Sequence, residues 1–313
     1  MEIEKKYWVL AYYYFTDIEN PEEEVALHKA FFEGRDASGR IYIAKEGING
    51  QMSGYESDAL AYMNWMHERE KFKNMEFKVH KHHENAFPRM TVKVRKQLVA
   101  MDCKFDLSQK GINVSPKEWK EMLEKNESIL IDVRNSYETK VGHFENAICP
   151  DLETFREFPK FARDLKAKCD PKSAKIMMYC TGGIRCELYS AFMKEEGFEN
   201  IYQLDGGVIK YGLEEGNDHW LGKLFVFDDR LTIPISDQEN STIVGSCKHC
   251  SKLSDTYYNC ANMDCNILFV CCPDCLQENK GCCQESCSCA PRLREFNKDF
   301  THKPFRRMHL LNK

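Results

Sequence analysis

An apolar run, Ala174 to Tyr179 (AKIMMY), ends on the thiol Cys180, and Thr181-Gly182-Gly183-Ile184-Arg185-Cys186 follows at once. A short apolar run bounded by glycines reads as a buried strand; after it Leu188, Ala191 and Phe192 recur at helical spacing until Gly197. A buried strand joined to a helix through so short a loop is one step of an alternating α/β pattern. In such folds the functional loops lie at the carboxyl ends of the strands, and Cys180 stands at one.

The loop also carries chemistry. Unpaired N–H groups of a first helical turn converge on whatever Cys180 holds, and the helix dipole favours a thiolate over a thiol. Gly182 and Gly183 permit a tight loop and a close approach of a ligand to the main chain. Arg185 is expected at the loop rim, where it can hydrogen-bond an anion. The structural alternative is a buried cysteine before a Gly-Gly turn. Cys186 is either a second thiol that resolves an oxidised Cys180 or a side chain packed in the core. A thiol-loop phosphatase needs its arginine six places after the cysteine; Cys186 occupies that place, so phosphate chemistry is disfavoured.

The flanking pattern alternates. Ser115-Pro116-Lys117-Glu118 is a capping box that opens a helix to Lys125. Strands are expected at 129–133, within Gly142 to Ile148 and at 201–204, with a helix from Leu152 to Lys168. This alternation implies a mainly parallel sheet over residues 114–230. Asp132 and Arg134 close the strand beside Cys180 and are read as braces of the loop. Gly206 and Gly207 are read as turn residues, with Lys210 and Tyr211 near the mouth of the site.

Residues 1–102 read differently. A strand at Tyr7 to Phe15, a helix capped by Asn20-Pro21, a strand at 40–44, and a short third strand out of the glycine-rich 46–54 come first. A helix at 58–69 with Leu60, Met63 and Met66 on one face and a strand at 76–83 complete a βαββαβ order, that of a ferredoxin-like α+β module. Met90 to Met101 continues as a strand, and 103–113 reads as a linker. Between Lys71 and Lys96 basic residues dominate, including Arg89, Lys93, Arg95 and Lys96, with His80, His82, His83 and Phe87 interleaved. Such a stretch is either a phosphate-backbone surface or a solvated strand face. The histidine cluster is disfavoured as a metal site, because an alternating basic strand needs no metal.

Of the 16 cysteines, 11 fall between Cys247 and Cys289. Four close pairs stand out: Cys247 and Cys250, Cys260 and Cys265, Cys272 and Cys275, Cys283 and Cys287. Two tetrahedral sulfur sites need eight thiolates, so residues 231–313 read as a cysteine-rich module holding two structural Zn2+ ions. Disulfides and an iron–sulfur cluster are the rivals. An interleaved scheme, with the first and third pairs on one metal and the second and fourth on the other, is one of the pairings the spacing leaves open, and Cys271 and Cys282 can replace Cys272 and Cys283. A basic tail follows (Arg292, Arg294, Lys298, Lys303, Arg306, Arg307).

The net charge of −5 argues against wholesale nucleic-acid binding and leaves room only for a local patch. No run reaches membrane-spanning length and the first residues lack a signal-peptide pattern, so a cytoplasmic protein is expected, with no obligate protein partner evident. No nucleotide-cofactor glycine fingerprint is legible, so neither flavin nor nicotinamide is expected.

Taken together, Glu46-Gly47-Ile48-Asn49-Gly50, Asp132-Val133-Arg134-Asn135, Gly142-His143-Phe144, Tyr179 to Cys186, Leu204 to Gly207 and the cysteine-rich tail resemble the rhodanese-domain tRNA uridine 5-hydroxylases. The resemblance covers nearly the whole chain; Gln97, where an acid is expected, is a small departure. It implies a rhodanese-like central domain and hydroxylation of the wobble uridine of tRNA to 5-hydroxyuridine, with molecular oxygen as co-substrate. The family's key cysteine falls on Cys180. The rivals are a sulfurtransferase acting through a Cys180 persulfide and a non-catalytic RNA-binding scaffold.

Overall fold

The computed structural model describes residues 6–99, 107–237 and 241–296. The chain divides into two compact units, 1–102 and 103–313. The first contains β1 (Tyr7–Phe15), α1 (Pro21–Phe32), β2 (Ala37–Ala44), β3 (Gly47–Tyr55), α2 (Glu56–His67), β4 (Lys78–His82) and β5 (Met90–Val94). Its sheet runs β4-β1-β3-β2-β5, antiparallel except where β5 lies parallel to β2. Leu10, Ile41, Ile43, Ile48 and Met52 of the sheet bury against Val25 and Phe32 of α1 and Ala59, Tyr62 and Met66 of α2. The Asn20 side chain accepts from the Glu23 N–H, Pro21 opens α1, and Gly34 takes φ +74° just past its end.

Three expectations for this unit change. The third strand is a full nine residues and sits centrally, because its glycines are spacers rather than turns: a Cβ on Gly50 would meet the Tyr12 ring at 2.3 to 2.7 Å. The buried face of α2 is Ala59, Tyr62 and Met66, while Leu60 is 40% exposed. Tyr62 takes the core position since its hydroxyl lies 2.6 Å from that of Tyr12, and a buried phenol needs such a partner. The last strand stops at Val94, after which the Leu98 N–H donates to the Glu46 carboxylate at 2.6 Å and leaves the ladder. Ala100 and Met101 of the expected strand lie outside the described residues.

The second unit begins with β6 (Ile112–Val114), α3 (Pro116–Lys125), β7 (Ile129–Asp132), α4 (Ser136–Thr139), β8 (Gly142–Phe144) and α5 (Phe158–Lys166). It continues with β9 (Lys175–Tyr179), α6 (Ile184–Glu195), β10 (Asn200–Leu204) and α7 (Gly207–Glu215). Strands β6-β10-β9-β7 form one all-parallel sheet. The capping box of α3 is formed in both directions, between Ser115 and Glu118.

Strand β6 lies in the stretch read as linker; three residues with Ile112 57% exposed give no periodic signal, and only pairing with β10 makes them a strand. Helix α5 is shorter than 152–168, with Pro159 in its first turn setting where it starts. Gly206 and Gly207 do not merely turn the chain: Gly206 caps α7 and Gly207 begins it.

Beyond α7, β11 (Trp220–Gly222) pairs with β8, and β12 (Leu224–Phe225) with β13 (Thr232–Ile233). The cysteine-rich segment adds β14 (Tyr257–Asn259), β15 (Leu268–Val270), α8 (Pro273–Glu278) and α9 (Glu285–Ser288). Tyr257 and Val270 bury against Val141, Phe225 and Leu231, and the Tyr257 hydroxyl donates to the Tyr137 carbonyl. Among the described residues no helix is long and apolar enough to cross a membrane. Lys298, Lys303, Arg306 and Arg307 of the basic tail lie outside the described residues. Arg292 and Arg294 pair with Asp264 and with the Cys260 carbonyl instead of extending away.

Candidate active site

Strand β9 is buried from Ile176 to Tyr179 and delivers Cys180, itself fully buried, to the start of α6. Gly183, at φ +103°, caps α6 in a conformation closed to other residues, and its N–H donates to Cys180 Sγ at 3.1 Å. Burial alone raises the Cys180 pKa. The Cys186 thiol, the Arg185 charge and the N–H groups of Cys186 and Arg185 outweigh it and lower the pKa to about 5. Cys186 is buried, and burial together with its hydrogen bond to Cys180 keeps its own pKa well above the usual range. The pair is therefore a thiolate and the thiol that donates to it.

The first turn of α7 grips the other side of the loop. Val208 N–H donates to the Cys180 carbonyl at 3.0 Å and Ile209 N–H to that of Thr181 at 3.1 Å. A Cβ on Gly207 would lie 2.5 Å from the Cys180 oxygen and 2.8 Å from the nitrogens of Gly182 and Gly183, so only glycine fits beneath the loop. Gly182, by contrast, has open space where a side chain would be, and Ile184 is half-buried at the helix start.

Arg185 is not at the rim. It is 4% exposed, its Nη1 donates to Glu138 Oε2 at 2.6 Å, and its Nη2 donates to Glu138 Oε1 at 2.8 Å and Thr181 Oγ1 at 3.2 Å. A buried guanidinium needs a carboxylate, and Glu138 satisfies it while also accepting from the Asn135 N–H. Glu138 escaped the sequence reading, although Asn135 followed by an acid three residues on is a capping signal; at α4 the Glu138 carboxylate accepts from the Asn135 N–H and the Glu138 N–H donates to the Asn135 carbonyl. The Phe155 and Phe227 rings lie 5.2 and 5.9 Å from the guanidinium.

Asp132 and Arg134 are both fully buried and pair with each other, Nη2 to Oδ2 at 2.6 Å. Arg134 also donates to the Gly142 carbonyl at 2.6 Å, and Val133 N–H reaches the Tyr179 carbonyl at 3.1 Å. They tie β7 and β8 to the strand that carries Cys180. Tyr211 is buried with its hydroxyl on the Asp218 carbonyl, and Lys210 pairs with Asp205 at 2.5 Å.

The paired cysteines gather as two groups, Cys247, Cys250, Cys272 and Cys275, and Cys260, Cys265, Cys283 and Cys287, the sulfurs of each within 4.8 Å of one another. Neighbouring sulfurs are 3.6 Å apart for Cys265 and Cys283, 3.7 Å for Cys250 and Cys272, and 3.9 Å for Cys283 and Cys287. A disulfide needs about 2.05 Å, whereas a tetrahedron with 2.3 Å metal–sulfur bonds has edges of about 3.8 Å. The four-sulfur sets therefore fit a metal ion each, and Cys271 and Cys282 stay outside them. His82, His83 and Glu84 also bring ligand atoms within 4.8 Å of one another.

In the first unit Arg89, Lys93, Arg95 and Lys96 are all exposed. Lys93 lies on β5, with the other three just outside it. Lys78, in the same basic stretch, is buried, and Lys73 pairs with Glu70 at 2.5 Å.

A thiolate at a strand–helix junction, held by peptide N–H groups on a parallel sheet, defines a thiol-loop α/β protein of the rhodanese-like class. Family models match in the same places: a UPF0176 acylphosphatase like domain at residues 7–98, a Rhodanese-like domain at 115–214 and a Rhodanase C-terminal model at 221–288. A tRNA uridine(34) hydroxylase of Chlamydia felis is 56% identical over 98% of this chain and 95% of its own. One from Protochlamydia amoebophila is 56% identical over 99% of this chain and 97% of its own. The rhodanese-like domain of an Anabaena protein, solved by NMR, is 20% identical, covering 35% of this chain and 78% of its own with a TM-score of 0.29. The chain belongs to the tRNA uridine(34) hydroxylase family.

Proposed function

We propose that this protein hydroxylates the wobble uridine of tRNA at C5, giving 5-hydroxyuridine, with molecular oxygen as co-substrate and Cys180 as the reactive centre. The observation that carries the reading is the Cys180 thiolate in its cradle of N–H groups, in a chain 56% identical to the curated hydroxylases. Uridine C5 is a poor nucleophile while the C5–C6 double bond is intact. Addition of Cys180 Sγ to C6 moves that electron pair toward C5 and the C4 carbonyl, so C5 can attack an electrophilic oxygen. One oxygen atom of O2 enters at C5 and the other leaves as water, taking two electrons and two protons from an external two-electron reductant such as a thiol pair; loss of the C5 proton and departure of the thiolate then restore the ring.

Arg185 acts on Cys180 by its charge, with Thr181 and Glu138 fixing its position. Asp132 and Arg134 position the loop. Gly182 leaves the open side by which a base approaches, with Gly183, Ile184 and Cys186 forming the helix start beneath it.

The N-terminal unit is read as a ferredoxin-like module that meets RNA phosphates through Arg89, Lys93, Arg95 and Lys96. Each four-cysteine group is read as a closed structural zinc site; the all-thiolate sets leave no open position for chemistry, and the metal when bound cross-links the segment. The protein acts in the cytoplasm, where its substrate is.

The test is isotopic. Cells expressing the protein and grown under 18O2 should yield 5-hydroxyuridine two mass units heavier in digested tRNA. An unshifted mass with intact 5-hydroxyuridine defeats the assignment of oxygen as co-substrate.

A further inference from the structure

Among the described residues, the helices of the first unit pack on one face of its sheet. Side chains alternate along a strand, and the helix-facing set is Leu10, Tyr12, Ile41, Ile43, Ile48, Met52 and Val92. The opposite face therefore carries the residues between them. Across four strands the register aligns Tyr13 with Asn49, Asn49 with Tyr42, and Tyr42 with Lys93, one continuous row. The adjacent row aligns Lys78 with Ala11, Ala11 with Gln51, Gln51 with Arg40, and Arg40 with Thr91.

Three features mark this half of the face. Tyr13 and Tyr42 are half-buried while Lys93 and Arg95 are exposed. A cation lies over one face of each ring, the Arg95 guanidinium 4.4 Å from the Tyr42 centroid and Lys78 Nζ 5.2 Å from that of Tyr13, so a base takes the opposite face. No Asp or Glu occupies a strand position on this face. The other half, around Val9 and Ser53, is covered by the segment carrying Ala86 and Phe87, whose Ala86 N–H donates to Ser53 Oγ at 3.1 Å.

We infer that this row is a stacking platform for single-stranded RNA, Tyr13 and Tyr42 each taking one unpaired base and Lys93 and Arg95 the flanking phosphates. The chemistry singles out this occupant. A protein partner of ordinary composition has no reason to match two tyrosines interleaved with cations on a face without acids. A polyanion with flat apolar rings matches both features. Tyr13 and Tyr42 are separated by one intervening strand, about 10 Å, so they present two separate ring surfaces. A duplex, with its bases stacked on one another, offers nothing to either ring, which selects the unpaired nucleotides of a loop. Asn49, between the rings, offers an amide that can donate to and accept from base edges. The inference rests on the proposed action on tRNA and adds where unpaired nucleotides of that tRNA are held.

Fluorescence anisotropy of the full chain with a labelled hexauridylate, and with a duplex RNA of equal length, tests it. Tyr13→Ala and Tyr42→Ala should each weaken single-strand binding ~10-fold, while Tyr13→Phe and Tyr42→Phe, which keep the ring, bind as the parent does. Lys93→Ala and Arg95→Ala should each lower the slope of log affinity against log salt by ~0.7. Should an alanine variant fail to fold, the salt slopes and the Phe variants still decide. Alanine variants that bind like the parent, unchanged slopes, or equal affinity for the duplex overturn the platform. Hydroxylation by the same preparations separates the two readings. A parent that modifies tRNA while its alanine variants bind normally removes the platform alone. A parent that binds through its tyrosines yet leaves uridine unmodified upholds the platform and removes the proposed reaction.

Discussion

Arg185 donates two hydrogen bonds to Glu138, at 2.6 and 2.8 Å, inside the fold and not at the mouth of the thiol loop. The guanidinium thus acts on Cys180 through space, from a position that a buried carboxylate fixes. Arg185→Gln should leave Glu138 buried without a counter-charge and lower stability by ~3–5 kcal/mol in urea unfolding. It should also raise the Cys180 pKa from about 5 toward the ordinary thiol value. A variant with parental stability and an unmoved thiol contradicts this arrangement.

The thiol itself should titrate low. Thiolate absorbance near 240 nm, taken as the difference between the parent and Cys180→Ser, is expected to rise with a midpoint near pH 5. Cys186→Ala removes a donor to the thiolate and should shift that midpoint upward. The folded-state pKa lies below the unfolded value of about 8.5, so the thiolate's contribution to stability is complete above that value. It is lost as the pH falls through about 5.

Gly207 lies under the loop with no room for a methyl group, at φ +66°. Gly207→Ala must push the backbone of Cys180 and Gly182 away from α7. Strain of ~1–3 kcal/mol is expected, read as a lower denaturation midpoint, together with loss of hydroxylation. Gly182→Ala, with open space at its Cβ, should fold with parental stability.

Purified protein should contain about two zinc ions per chain by elemental analysis. Cys283→Ser is expected to lose one of them and to leave the group of Cys247, Cys250, Cys272 and Cys275 loaded. One metal or none in the parent, or iron in place of zinc, defeats the two-site reading.

Thiosulfate and cyanide separate the proposed reaction from sulfur transfer. Little thiocyanate should form without tRNA; robust turnover would favour a Cys180 persulfide as the working species.

Much of the site was legible where short-range physics decides. The apolar strand before Cys180, the glycines after it, the Ser115 to Glu118 capping box and the four cysteine pairs each carry a local reason for their conformation. What escaped depends on partners distant in sequence. Glu138 is 47 residues from Arg185, and nothing local says that the two meet. Strand β6 exists because β10 lies beside it, and β3 keeps its length because Tyr12 fills the space above Gly50. Gly207 resembled a turn residue because its role is defined by the Cys180 loop it supports.

The most direct measurement is nucleoside mass spectrometry of tRNA from cells lacking this protein, complemented with either the parent chain or Cys180→Ser. The parent should restore 5-hydroxyuridine and the nucleosides built on it, and the serine variant, expressed and folded to the same level, should restore none. Full restoration by Cys180→Ser would contradict the assignment of this sulfur as the reactive centre.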